Sequence, residues 1–96
     1  MRDAIASVEI FAHRGDEPVQ RLSLVLGAPA ADREAGTWTC RVALANLHRA
    51  EGLAGHDSVE ALSLALARGR EWLAALEADG FVLYRDRAGS VPFLFV

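Results

Sequence analysis

Residues 4–13 read Ala4-Ile5-Ala6-Ser7-Val8-Glu9-Ile10-Phe11-Ala12-His13, and residues 19–26 read Val19-Gln20-Arg21-Leu22-Ser23-Leu24-Val25-Leu26. Both stretches alternate with a period of two, which sends successive side chains to opposite faces of a strand and marks it as half-buried. In the first, Val8 and Ile10 share a face with the small Ala4, Ala6 and Ala12. In the second, Leu22, Leu24 and Leu26 share a face, while Arg21 and Ser23 turn the other way. Phe11 and Val25 fall on the mixed faces and are the exceptions. Gly15-Asp16-Glu17-Pro18 lies between the two stretches. Gly tolerates positive φ and Pro cannot continue a ladder, so the pair reads as an antiparallel hairpin.

The same alternation returns over 37–45, where Trp38, Cys40, Val42 and Leu44 oppose Thr37, Thr39, Arg41 and Ala43. The segment between, Ala28 to Gly36, is small and polar and reads as a loop. Residues 46–56, with Gly52 and Gly55, read as a linker. A helix over 57–79 should follow, about 34 Å long at 1.5 Å per residue. Asp57 has the chemistry of an N-cap, and Glu60 stands at the capping-box spacing. Gly80 is placed for a left-handed C-terminal cap. At 100° per residue Val59, Leu62, Ala65, Leu66, Gly69, Leu73 and Leu76 form one stripe, with Trp72 at its edge, and this stripe should cover the apolar face of the sheet. The fold expected is α+β: a three-stranded antiparallel sheet on one long helix, residues 1–96 forming a single domain. The apolar end, Phe81-Val82-Leu83-Tyr84 and Val91-Pro92-Phe93-Leu94-Phe95-Val96, should add a short hairpin turning at Asp86-Arg87-Ala88-Gly89.

Composition narrows the function classes. The 96 residues are 52% apolar and 24% charged, with a net charge of −3. That is ordinary for a packed domain and gives no electrostatic footprint for nucleic acid or anionic lipid. Every basic residue is Arg, which we read as the codon bias of a GC-rich bacterial genome. Cys40 is the single cysteine, so no intrachain disulfide forms. With no apolar run near the ~18 residues of a membrane span and no signal-peptide pattern after Met1, the expectation is a cytoplasmic protein that binds neither membrane nor nucleic acid.

Chemistry-bearing residues are sparse. His13, His48 and His56 show no i, i+4 spacing of a helical zinc site, and Cys40 is expected in the core as a small hydrophobe. Paired carboxylates, a phosphate-cradling glycine loop and a nucleophile–base arrangement are not evident. We therefore expect no catalytic residues, no metal and no cofactor.

Two resemblances attach to the helix start. Gly55-His56-Asp57-Ser58 before an apolar helix resembles the phosphopantetheine attachment site of acyl carrier proteins, which would make Ser58 the attachment residue. Carriers are helical bundles, however, whereas strands precede the motif here, and capping by Asp57 explains the same residue types. The second pattern is Trp38-x-Cys40 and Asn46-Leu47, followed by Gly55-x-Asp57-Ser58-x-x-Ala61-Leu62-x-Leu64-Ala65-Leu66. Over 37–73 this resembles a family of small bacterial proteins catalogued only as a domain of unknown function. That resemblance implies the β-β-β-α order and no activity, cofactor or catalytic residue.

The remaining signal is surplus apolar surface. Leu64, Ala67, Ala74, Ala75 and Ala78 lie on the helix face opposite the stripe, interrupted mainly by Glu60 and Glu71. Either the chain's own end or a second copy should cover them. The leading expectation is a non-enzymatic interaction domain, a homodimer or the binder of a protein partner, with Leu64, Ala67, Glu71, Ala75, Phe93 and Phe95 at its interface. The alternative is a small-ligand binder or sensor, with a pocket between sheet and helix formed by Trp38, His48 and His56.

Overall fold

The chain runs β1 (Ala4–His13), β2 (Gln20–Gly27), β3 (Ala30–Asp32), β4 (Thr37–Ala45), β5 (His48–Gly55), α1 (Ser58–Ala78) and β6 (Val82–Tyr84). This is seen in a computed structural model that describes residues 3–95. β1, β2 and β4 lie where the alternation places them. The sheet nevertheless has six antiparallel strands, and the expected three-stranded sheet is corrected by β3, β5 and β6.

β5 replaces the expected linker. The backbone turns back at Asn46, which adopts φ 76° and lets the Leu47 amide donate to the Leu44 carbonyl at 3.0 Å. Asn tolerates this left-handed region better than other side-chain-bearing residues. Its own amide donates to the Arg21 carbonyl at 3.0 Å, tying the turn to β2. β5 then pairs with β4 from Leu44↔His48 to Trp38↔Gly55, with a register shift between Val42 and Leu44. That bulge sets Arg49 and Ala50 against Ala43 alone, so His48 and Glu51 both face the helix although they are three positions apart. The strand was illegible as alternation for that reason.

Along its other edge, β4 pairs with β2 through Val42–Ala45 and with β3 through Thr37–Thr39. β2 and β3 are thus successive pieces of one bent edge, broken at Ala28-Pro29. β1 pairs with β2, and β6 with β1 through Phe11↔Tyr84, Ala12↔Leu83 and His13↔Val82. The expected C-terminal hairpin is present as a short one: Tyr84 bridges Pro92, and the Phe93 amide donates to the Leu83 carbonyl at 3.0 Å. Its first strand also extends the main sheet.

α1 lies over β4 and β5 and reaches β2 and β6. At its start the Asp57 carboxylate accepts from the Glu60 amide at 2.7 Å. Its end is a Schellman arrangement, with the Phe81 amide on the Leu76 carbonyl, the Gly80 amide on the Glu77 carbonyl, and Gly80 at φ 94°. The buried stripe is Ala61, Ala65, Gly69, Trp72, Leu73 and Leu76. It is rotated from the expected one: Val59 is 71% exposed, and Leu62 and Leu66 are half-buried at the flank. The cause is close approach. An added Cβ at Gly55 would stand 2.6 Å from the Ala61 amide nitrogen, and one at Gly69 would stand 3.1 Å from a Leu24 methyl. Small residues face the sheet so that the helix can sit this near. Ile10, Leu22, Cys40, Val42 and Leu44 fill the space beneath. Among the described residues no helix is long and apolar enough to cross a membrane.

Candidate functional site

The helix covers one face of the sheet, and the other face divides into two unequal regions. At the β1–β6 end the 85–90 turn folds back over it. The Asp86 carboxylate accepts from the Ser90 and Val91 amides and from the Ser90 hydroxyl. These bonds hold the Asp86 carboxyl below the usual carboxylate range, the Ser90 hydroxyl contributing most. The turn places Arg87 over the Phe11 ring, 5.3 Å from its centroid. Gly89 comes down beside His13, which meets Tyr84 edge-on at 4.8 Å. Phe11, anomalous in the alternation, is thereby covered from within the chain.

Over β4 and β5 the same face carries no second layer among the described residues. An open cavity of about 730 Å³ lies there. Its floor is Gly27, Ala30, Ala43, Ala45 and Ala50, residues with nothing beyond Cβ. Its rim at the β4–β5 turn is Leu47, His48 and Arg49; Arg41 and Thr39 rise from β4, and Asp3 stands on the side away from β5. Arg41 stands opposite Gly52, while Arg49 belongs to the bulge facing Ala43. The two guanidinium-bearing residues are therefore one register step apart on neighbouring strands, projecting from the same face.

Their electrostatic setting is unusual for this chain. Arg14 meets Glu17 and Asp79, Arg21 meets Glu9, and Arg68 meets Glu51 and Glu71. Arg70 lies over Phe95, Arg85 over Phe93 and Arg87 over Phe11. Among the described arginines that leaves Arg33, in the turn before β4, and the pair in the trough. In a protein of net charge −3, Arg41 and Arg49 are two neighbouring cations with neither a salt bridge nor a ring contact among the described residues.

Of the residues expected at an interface, Leu64, Ala67, Glu71 and Ala75 share one side of α1. Leu64 is 40% exposed. Ala67 is half-buried and Ala75 exposed. Glu71 accepts from Arg68 at 2.9 Å. Phe93 and Phe95 pack within their own chain, against Leu73, Ala74 and Leu83, their ring centroids 6.2 Å apart. The residues expected at a pocket do not converge. His48 stacks on Trp72 at 4.7 Å and lines one end of the trough. His56 is exposed and bonds Glu60. Trp38 is half-buried beside Gly55 at the far end of β5. The cavity is on the face away from the helix, not between the two layers.

Ser58 is half-buried in the first turn, where Asp57 and Glu60 form the cap. The amide and ring of His56 both bond the Glu60 carboxylate and hold its pKa down, the amide foremost. Cys40 is fully buried, its Sγ 3.3 Å from the Gly27 carbonyl, and burial pushes the thiol up. A thiol so placed is not a nucleophile. Among the described residues no three His, Cys, Asp or Glu side chains gather as a metal site.

Sequence reasoning missed the trough because it needs β5. Arg41 and Ala43 were legible as outward residues of β4, but nothing in the spacing of 46–56 set Arg49 beside them. Known protein families, curated proteins and solved structures contain no match to the chain.

Proposed function

We propose that this is a non-enzymatic interaction domain that docks a protein partner on the uncovered face of its sheet. The observation that supports it is the trough over β4 and β5: a floor of alanine and glycine without a covering layer among the described residues, rimmed by Arg41 and Arg49. A solvated antiparallel face ordinarily carries polar and charged side chains on alternate residues. Here the alternate residues of β4 end in Ala43 and Ala45, so another backbone can approach the strands closely. The surface differs from the helix face that sequence alone favoured. A two-fold contact with a second copy over this trough would set four guanidiniums against one another, and like charges directly opposed destabilise such a contact. A different chain is the better occupant.

The test is site-specific photo-crosslinking in cells, with a benzophenone amino acid at Leu47 on the rim and, as control, at Val59 on the helix. A discrete adduct from Leu47, absent from Val59 and abolished by Ala43→Arg, supports the reading. Identical adducts from both sites, adducts indifferent to Ala43→Arg, or none from Leu47 overturn it.

A small-ligand site is the second reading, favoured by the cavity volume, which falls within the ~300–1,000 Å³ range of such pockets. Its signature is a thermal shift: a ligand at 100 times its Kd stabilises by about 2.7 kcal/mol.

A further inference from the structure

We propose that the trough takes an extended, acidic peptide segment, with carboxylates on Arg41 and Arg49 and small side chains against the alanine floor. This rests on the docking reading above and names the chemistry of the partner. Three observations carry it.

The first is charge. The described arginines outside the trough, Arg33 excepted, are matched with a carboxylate or an aromatic ring, whereas Arg41 and Arg49 are not. A guanidinium presents paired donors in a fork that fits a carboxylate. Two forks one register step apart suit two carboxylates on an extended segment, whose alternate side chains fall on one side.

The second is shape. The floor residues Gly27, Ala30, Ala43, Ala45 and Ala50 offer no side chain tall enough to hold a partner's backbone away. Bulky partner side chains would lift the segment off this floor, so the preference is for Ala, Gly or Ser between the acids.

The third is polarity. Asp3 lines the trough on the side away from β5, its carbonyl accepting from the Ala28 amide. Its carboxylate repels acids along that side and turns the acidic side chains of the segment toward β5. A polyphosphate backbone, charged along its whole length, would place negative charge against Asp3.

The experiment is calorimetry on the full chain with capped synthetic hexapeptides, one alternating Ala and Asp, one with Asn in place of Asp. The Asp peptide should bind. Its Kd should rise at least tenfold between 50 and 500 mM NaCl, and at least tenfold in Arg41→Gln and in Arg49→Gln. Both variants should keep the wild-type melting curve, since neither side chain contacts the core. The Asn peptide should bind at least tenfold more weakly. Equal binding of the two peptides, or variants that bind like wild type, overturns the proposal. So does saturation by succinate alone at the affinity of the peptide, which identifies a small-anion site. Tighter binding of a single-stranded oligonucleotide identifies a phosphate polymer and overturns it as well. If neither peptide binds while the Leu47 adduct persists and remains sensitive to Ala43→Arg, the docking face stands and the acidic chemistry fails. Loss of both removes the docking reading itself.

Discussion

Gly55→Ala should destabilise this domain far more than Gly52→Ala, although both replace a glycine of the same strand with the same methyl. The difference lies in what the new Cβ meets. At Gly55 it would stand 2.6 Å from the Ala61 amide nitrogen and 3.0 Å from Glu60 backbone and side-chain carbons. That nitrogen belongs to the first turn of α1, already donating to the Asp57 carbonyl at 3.1 Å. Backbone cannot rotate aside, so the turn must lift from the sheet. Overpacking of this kind costs about 1–3 kcal/mol, and disturbing the Asp57 cap adds ~1 kcal/mol. Stiffening the unfolded chain returns roughly 0.4–1 kcal/mol. The net is a loss of about 1–3.5 kcal/mol, and at ~4–8 °C per kcal/mol for a domain of this size the midpoint should fall by roughly 5–30 °C. At Gly52 the new methyl meets only the Thr39 Cγ2 at 2.9 Å. Thr39 stands on the uncovered face beside the trough and has a staggered alternative. The clash and the gain in the unfolded state then nearly cancel, leaving a change within ~0.5 kcal/mol. Urea titration followed by tryptophan fluorescence, with thermal melts by circular dichroism, measures both. A Gly55→Ala protein within 0.5 kcal/mol of wild type, or a Gly52→Ala protein as damaged as Gly55→Ala, would refute the close-approach argument for the position of the helix.

Asp57→Ala should cost about 1 kcal/mol by urea titration, because its carboxylate accepts from the Glu60 amide at 2.7 Å; an unchanged midpoint would remove the cap from the account. Acid should loosen the C-terminal turn. The folded Asp86 carboxyl lies below its ordinary 3.8, so its contribution is complete above that value and is lost as pH falls through the depressed one. Protection factors of the Ser90 and Val91 amides, corrected for intrinsic exchange, should therefore fall below about pH 3.8 in wild type; protection unchanged down to full protonation would contradict the hydrogen bonds to Asp86.

What the sequence made legible was local and periodic. β2 and β4 announce themselves because one face is buried along most of their length, and β1 because Ile10 and Ala12 are buried and Val8 half-buried on one face, so apolar residues recur at every second position. The ends of α1 are legible for a different reason: Asp57, Glu60 and Gly80 each satisfy or release a backbone group at a helix terminus. The other strands fail on particular residues. β5 carries His48 and Glu51 on one face, three residues apart, because Arg49 and Ala50 share the bulge; no period survives that. Its glycines resemble a flexible linker, yet Gly55 is there for the helix to approach. β3 is three residues, Ala30-Ala31-Asp32, all exposed, and has no buried face to be periodic about. β6 looks like a strand, but its pairing with β1 across some seventy residues is a tertiary fact. The rotation of the helical stripe has the same origin, since Val59 loses its place to Ala61 only when the closeness of the sheet is known. The trough inherits these failures: Arg41 and Ala43 are readable, and their neighbours are not.

The additional strands change the grounds on which association should be argued. With three strands and one helix, the apolar end of the chain had no place to go, and a hydrophobic interface followed. With six, Phe81 and Leu83 are buried in the core, and Phe93 and Phe95 lean on α1 beneath Arg85 and Arg70. Most of the apolar end is therefore satisfied within one molecule; among the described residues Ile5, Leu47, Val59, Leu64, Val82, Val91 and Leu94 stay exposed, and exposed apolar side chains standing singly are normal on a monomer. The sheet face left uncovered among the described residues is a shallow one of alanine and glycine bearing Arg41 and Arg49. Contacts built on such a face draw on charge and close backbone approach more than on buried hydrocarbon. Their strength should then fall with salt, as exposed ion pairs do within a Debye length of about 10 Å at 0.1 M. A hydrophobic dimer through the helix would be nearly indifferent to salt. Sedimentation in low and high salt, with and without the acidic peptide, separates these two modes of association in one series: the helix-face dimer predicts an assembly that persists at 500 mM NaCl, and the trough predicts a chain that stays single until the acidic segment is added.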